Sequence, residues 1–192
     1  MARPREFNRD AVLDKAMNLF WKQGYEATSV HELGEHLGLN PGSLYNTFKD
    51  KHSLFLEALE RYIQTQGQQS CQILDSGSGK AVLRQFFMQL LEYSRNDVDC
   101  KGCLMVNSTA ELAAHDPEVR IKVAAGRTAL QQAFQGAIKR GQDSGEINRR
   151  HDAHLLAEFL LNSLYGLQIS TKMKTDHATL MQIVDITLRV LD

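Results

Sequence analysis

No run of about 18 apolar residues occurs in the 192-residue chain, so no segment is suited to crossing a bilayer as a helix. The opening MARPREFN has no apolar core of the signal-peptide kind. Cysteine is scarce and odd in number, three in all. That argues against a secreted disulfide framework and predicts a reducing cytoplasm as the setting. An excess of positive charge is also missing. The net charge is −1, and the first 60 residues hold seven Lys/Arg (Arg3, Arg5, Arg9, Lys15, Lys22, Lys49, Lys51) against nine Asp/Glu. Any hold on nucleic acid must therefore come from local placement of cations. No stretch alternates apolar and polar residues with period two, so no strand is predicted. There is no phosphate loop and no nucleophile–base pair, and Asp14, Glu57 and Glu92 form no paired-carboxylate site. Neither an enzyme nor a cofactor carrier is expected.

What is present is helical periodicity in a chain that is 43% hydrophobic. Its organising stretch is residues 28–48, TSVHELGEHLGLNPGSLYNTF, which reads as two short helices joined by a tight turn. Thr28 is placed to cap the first helix. Val30, Leu33 and Leu37 then fall on one face. Gly38 suits the left-handed stop, and Leu39 returns to the core. Asn40 caps the second helix and Pro41 takes its first position, where no N–H is needed. Leu44 and Phe48 anchor that helix inward. Pro41, Gly42, Ser43, Tyr45, Asn46 and Thr47 are left on an outer face small enough to enter a groove about 12 Å wide. Before this unit, a helix from Arg9 to Gln23 carries Val12, Ala16, Leu19 and Phe20 as its stripe and stops at Gly24. After it, a helix capped by Asp50 runs to about Gln69 and buries Phe55, Ala58, Leu59, Tyr62 and Ile63.

Residues 9–63 resemble the N-terminal DNA-binding domain of the TetR family of bacterial transcriptional repressors. The resemblance is carried by AVLDKAMNLFWKQGYEATSV, LGLNPGSLYNTF and FKDKHSLFLEAL and covers about a third of the chain. One departure is Gly34, where the family usually has Ala; both are small enough for the two helices to cross closely. The resemblance implies an all-α protein, with a helix-turn-helix at about 29–49 inside a DNA-binding domain of residues 1–70. Residues 71–192 are then a helical regulatory and dimerisation domain. It also implies a dimeric repressor on a two-fold operator, released by a small-molecule effector. DNA contacts are expected from Thr28, Ser29, His31, Pro41, Gly42, Ser43, Tyr45, Asn46 and Lys51. Ser43, Tyr45 and Asn46 would read base edges, and Thr28, Lys51 and the helix ends would hold phosphates. Arg3 and Arg5 form a basic arm that could reach a minor groove.

The second half reads as five helices. SCQILDSGSGK, residues 70–80, is a Ser/Gly-rich break. Helices follow at about 81–95, 102–114, 117–140, 152–172 and 177–191, with Asp116–Pro117 opening the third. The resemblance places dimerisation on the last two, where Phe159, Leu160, Ser163, Leu164, Gly166, Leu167, Leu180, Ile183 and Thr187 are the expected interface. Residues 81–140 hold more aromatic and flexible apolar residues than a minimal bundle needs. A ligand pocket is expected from Phe86, Leu90, Tyr93, Met105 and Phe134, with Asn107 and Ser108 as polar anchors. Cys100 and Cys103 make a C-x-x-C beside Lys101, a possible thiol switch. Cys71 and His115, or His151 and His154, are too sparse a set for a metal site.

Overall fold

The structure, a computed structural model, describes residues 8–192, the side chains of Pro41 and Tyr45 excepted. The basic arm at Arg3 and Arg5 lies outside the described residues. Ten α-helices and no strand occur among the described residues. The first, α1 (Arg9–Gln23), is capped by Asn8, whose side-chain oxygen accepts the Ala11 N–H. Then come α2 (Val30–Leu37), α3 (Pro41–Phe48) and α4 (Lys51–Tyr62). The Asp50 carboxylate caps α4 by accepting the Ser53 N–H at 2.6 Å.

The helix then continues through one wider π-helical turn, Ile63–Gly67, into α5 (Gln68–Asp75). This corrects the break expected at residues 70–80, which shrinks to the turn after Asp75. Ser70 returns its hydroxyl to the Gln66 carbonyl within the helix, and fully buried Leu74 anchors the last turn. The remaining helices are α6 (Gly79–Asn96), α7 (Leu104–Glu111), α8 (Pro117–Ser144), α9 (Ala153–Lys172) and α10 (His177–Leu188). A 3-10 turn, Arg189–Leu191, ends the fold. Asp116 caps α8 with Pro117 in the first turn, as expected. α8 runs past Arg140, because Gly141 marks a close helix crossing and not a stop. A Cβ at 141 would lie 2.6 Å from the Gly79 Cα.

Two apolar cores form. One lies among α5, α6, the C-terminal half of α8, α9 and α10, around Phe87, Phe134, Leu160 and Val184. The other fills the centre of α1–α4 around Phe20, Leu33, Leu44 and Phe55. This second core also takes in Leu104, Met105, Leu112, Val119 and Val123 from α7 and the start of α8. The helix-turn-helix unit is thus completed by residues far along the chain.

Candidate nucleic-acid interface and the cavity behind it

Ser29, not Thr28, caps α2. Its hydroxyl accepts the Glu32 N–H at 3.1 Å, and the Glu32 carboxylate accepts the Ser29 N–H at 2.8 Å. The hydrogen bonds from Ser29 hold the Glu32 carboxyl below the usual range. Thr28 is fully buried and gives its hydroxyl to the Gly24 carbonyl. The phosphate contact expected of Thr28 is corrected, because its side chain faces the core, whereas Ser29 stays exposed at the start of α2. His31 stands exposed, 3.6 Å from the Glu35 carboxylate.

Gly38, at φ +67, makes the left-handed turn. Asn40 caps α3 by accepting the Ser43 N–H at 2.8 Å. Leu44 and Phe48 are each 2% exposed and pin α3 to the core. Gly42 and Asn46 are exposed, with Ser43 and Thr47 half-buried beside them. The side chains of Pro41 and Tyr45 lie outside the described residues. Gly34 sits closer to the turn than its resemblance to alanine suggests. A Cβ there would lie 2.9 Å from the Leu39 carbonyl oxygen, so alanine would have to displace the turn. Lys51 packs its ammonium 4.2 Å from the centre of the Tyr25 ring. Lys49, which the sequence reading passed over, is exposed between α3 and α4 in a left-handed conformation, φ +67.

Behind this reading unit lies a cavity of about 260 Å³. Four of the expected pocket residues line it: Phe86, Leu90, Tyr93 and Met105. Three do not, and the helix packing explains each. Phe134 is fully buried in the core, edge-on to Phe86 at 5.1 Å. Ser108 is buried with its hydroxyl on the Leu104 carbonyl. Asn107 braces the loop, donating to the Lys101 carbonyl and accepting from Lys172. Unforeseen were Trp21 and Tyr62, from the helix-turn-helix unit, and Gln66 and Gln168. Trp21 lies nearly parallel to Tyr93, ring centres 6.3 Å apart, and edge-on to Tyr62 at 4.9 Å. Its indole N–H donates to the Gly102 carbonyl at 3.0 Å.

Other bonds tie the two halves together. Glu111 accepts the N–H groups of Tyr25 and Glu26, at 3.1 and 2.8 Å. His52 meets Asp116 at 2.6 Å, and Lys122 meets Glu60 at 2.7 Å. The C-x-x-C loop belongs to this seam. Lys101 lies 4.6 Å from the centre of the Trp21 ring, and the Tyr62 hydroxyl donates to the Cys103 sulfur at 3.5 Å. Burial pushes the Cys103 thiol pKa up, against the opposing pull of Tyr62 and nearby backbone N–H groups. All three cysteines are free thiols. Among the described residues no cluster of His, Cys, Asp and Glu has a metal-binding arrangement. His154 instead meets Gln131 at 2.7 Å.

On the far side, the expected dimer residues divide. Leu160, Leu164, Leu167, Leu180 and Thr187 are buried against their own chain, so they are corrected from interface to core. Phe159 and Ile183 are exposed, and a Cβ on Gly166 would meet open space. Ser163 is half-buried, its hydroxyl on the Phe159 carbonyl. Leu155, Ile169 and Ile186 extend the exposed apolar stripe and were not foreseen.

Comparison with known proteins agrees with this architecture. Residues 12–58 match the family model for bacterial regulatory proteins of the tetR family, and residues 79–186 match the tetracyclin repressor-like C-terminal domain. The chain is similar to the uncharacterised helix-turn-helix transcriptional regulator YezE of Bacillus subtilis, 34% identical with both chains covered in full. It is similar to the transcriptional repressor ComR of Escherichia coli, 33% identical over 98% of this chain and 90% of that one. Among solved structures, a cysteine-substituted CifR regulator bound to 26-bp operator DNA superposes with a TM-score of 0.88. It is 30% identical, with full coverage of both chains.

Proposed function

The chain belongs to the TetR family of bacterial transcriptional regulators, and on that premise we propose that it is a ligand-responsive repressor that binds a two-fold operator as a homodimer. Residues 1–70 are the DNA-reading unit in this proposal, and residues 71–192 the regulatory and dimerising one. Ser43, Tyr45 and Asn46 read base edges, with Pro41 and Gly42 allowing close approach. Lys49 and Lys51 hold phosphates, and His31 flanks them. The partner packs on Phe159, Gly166 and Ile183 with Leu155, Ile169 and Ile186. That solvent-facing stripe is apolar where a monomer gains nothing from apolar residues.

The observation that carries the effector reading is the shared wall of the cavity. α4 starts at Lys51, directly after the reading helix, and ends at Tyr62, in the cavity wall. A ligand that displaces Tyr62 moves α4 and, with it, the angle of α3. Release requires tighter binding to the form that cannot hold DNA, since equal affinity for both shifts nothing. Thiol sensing through Cys100 and Cys103 is the weaker reading, because burial that raises the Cys103 pKa reduces its reactive thiolate.

The test is a gel shift with the DNA upstream of the protein's own gene. Asn46→Ala should narrow the preference for that DNA over random duplex. Lys51→Ala should weaken both alike and lower the log–log salt slope by about one. Equal binding of the wild type to upstream and random DNA would sink the proposal.

A further inference from the structure

We propose that Glu111 is the positioning residue that fixes the angle of the reading helix to the rest of the chain, and with it the half-site spacing that the dimer accepts. This rests on the repressor reading above and adds the residue that sets its geometry. Among the described residues, Glu111 is the one side chain from beyond residue 70 that hydrogen-bonds to the stretch 24–50. Its half-buried carboxylate accepts the Tyr25 N–H at 3.1 Å and the Glu26 N–H at 2.8 Å, one on each oxygen. Neither N–H has another partner among the described residues. Hydrogen bonds to an ionised acceptor are about twice as strong as neutral ones, and a pair of them fixes direction as well as distance. Gly24 leaves the room for the carboxylate. A Cβ there, at φ +89, would lie 3.0 Å from its oxygen.

Both sides of this joint are firmly held. On the sensor side, Met105 of α7 packs against Gly126 of α8, where a Cβ would lie 2.8 Å from the Met105 methyl. Asn107 accepts from Lys172 of α9 at 3.2 Å. Glu111 is the last residue of this eight-residue helix. On the reader side, the Thr28 hydroxyl donates to the Gly24 carbonyl at 2.6 Å, and the Ser29 cap opens α2 directly after it. α2 and α3 move together, because a Cβ at Gly34 would lie 2.9 Å from the Leu39 carbonyl oxygen in the turn between them. The Tyr25 ring carries the Lys51 ammonium at 4.2 Å, so the residue that Glu111 holds also places a phosphate contact of the repressor reading. The other hydrogen bonds described across the seam end on α1 or α4 and leave α2 untouched.

Spacing follows from this placement. The exposed apolar stripe lies on α9 and α10, so each reading helix is tied to a partner only through the seam. One more base pair between half-sites moves them about 3.4 Å apart and turns them by about 35°. A fixed joint rejects that change, and a loose one follows it.

Wild type and Glu111→Ala are each allowed to select from a pool of random duplexes. Wild type should recover one half-site sequence at one spacing, and Glu111→Ala the same half-site at several. In gel shifts with the selected duplex and a copy one base pair longer, Glu111→Ala should lower the preference for the first about fivefold. Glu111→Gln keeps the shape and one acceptor, so it should lower the preference less, and it carries the test if Glu111→Ala does not fold. A role in stability alone weakens binding to both duplexes and leaves their ratio unchanged. Hydrogen exchange needs no DNA: the Tyr25 and Glu26 amides should exchange faster in Glu111→Ala. An unchanged spacing ratio, an altered half-site sequence, or unchanged exchange at both amides overturns the inference. A wild type that recovers no two-fold duplex removes the repressor reading itself, and this inference with it.

Discussion

The carboxylate of Asp116 serves two elements at once, capping α8 and meeting His52 of α4 at 2.6 Å. Burial pushes its pKa up, but the Val119 N–H, the His52 ring and the Glu118 N–H outweigh that, and the carboxyl titrates below the ordinary aspartate range. A carboxyl depressed by folding stabilises the native state above its unfolded pKa, about 3.9. That contribution is lost as pH falls through the lower folded value. Asp116→Asn keeps a capping side chain and removes the charge. It should therefore melt below wild type at neutral pH, by about 1 kcal/mol. The difference should shrink as pH falls through the lowered folded pKa and vanish where wild type is protonated too. Melting curves across a pH series check this, and a constant difference would show that the charge is irrelevant. The residue scale was also where sequence reading slipped most easily. Thr28 and Ser29 are adjacent and chemically alike, and both are good caps. Which one caps depends on whether the chain arrives with residue 28 facing the core, and that is set by Gly24 accepting the Thr28 hydroxyl.

At the scale of the element, the helices were largely legible, because apolar residues recur at helical spacing and Asn40, Asp50 and Asp116 cap as their chemistry demands. What periodicity does not carry is which glycine ends a helix and which lets two helices touch. α8 contains both Gly136 and Gly141. A Cβ on Gly136 meets only the movable end of Arg140, at 3.3 Å. A Cβ on Gly141 meets the Gly79 backbone at 2.6 Å and the Ile147 side chain at 2.7 Å. Gly136→Ala should thus stabilise, by up to about 1 kcal/mol of helix propensity. Gly141→Ala should destabilise, because overpacking of about 1–3 kcal/mol exceeds that gain. Urea unfolding of the two variants gives the signs; the same sign for both would mean the crossing of α6 and α8 is looser than described. The cavity was half legible for the same reason. Phe86 and Phe134 are both aromatic residues on regular stripes, and only the crossing of α6 with α8 decides that one faces space and the other core.

For the molecule as a whole, the hardest reading was which side of α9 is left open for the partner proposed above. That helix is apolar over most of its circumference, so its stripe for its own core and its stripe for a second copy look alike in sequence. The structure separates them. Phe159 is 46% exposed, whereas Leu164 is 1% exposed. Phe159→Asp should give a folded monomer with weakened operator binding, and Leu164→Asp an unfolded or aggregated chain. Sedimentation with circular dichroism distinguishes these, and a folded dimer from Phe159→Asp would move the interface elsewhere. The core of α1–α4, closed by Leu104, Met105, Leu112, Val119 and Val123, has a longer reach. A gene fusion joining these four helices to a foreign sensor would strand Trp21 and Tyr62 without the residues that cover them. The four helices and the residues that cover them therefore hold together as one piece, and a substitution on one side of the seam changes what the other side tolerates.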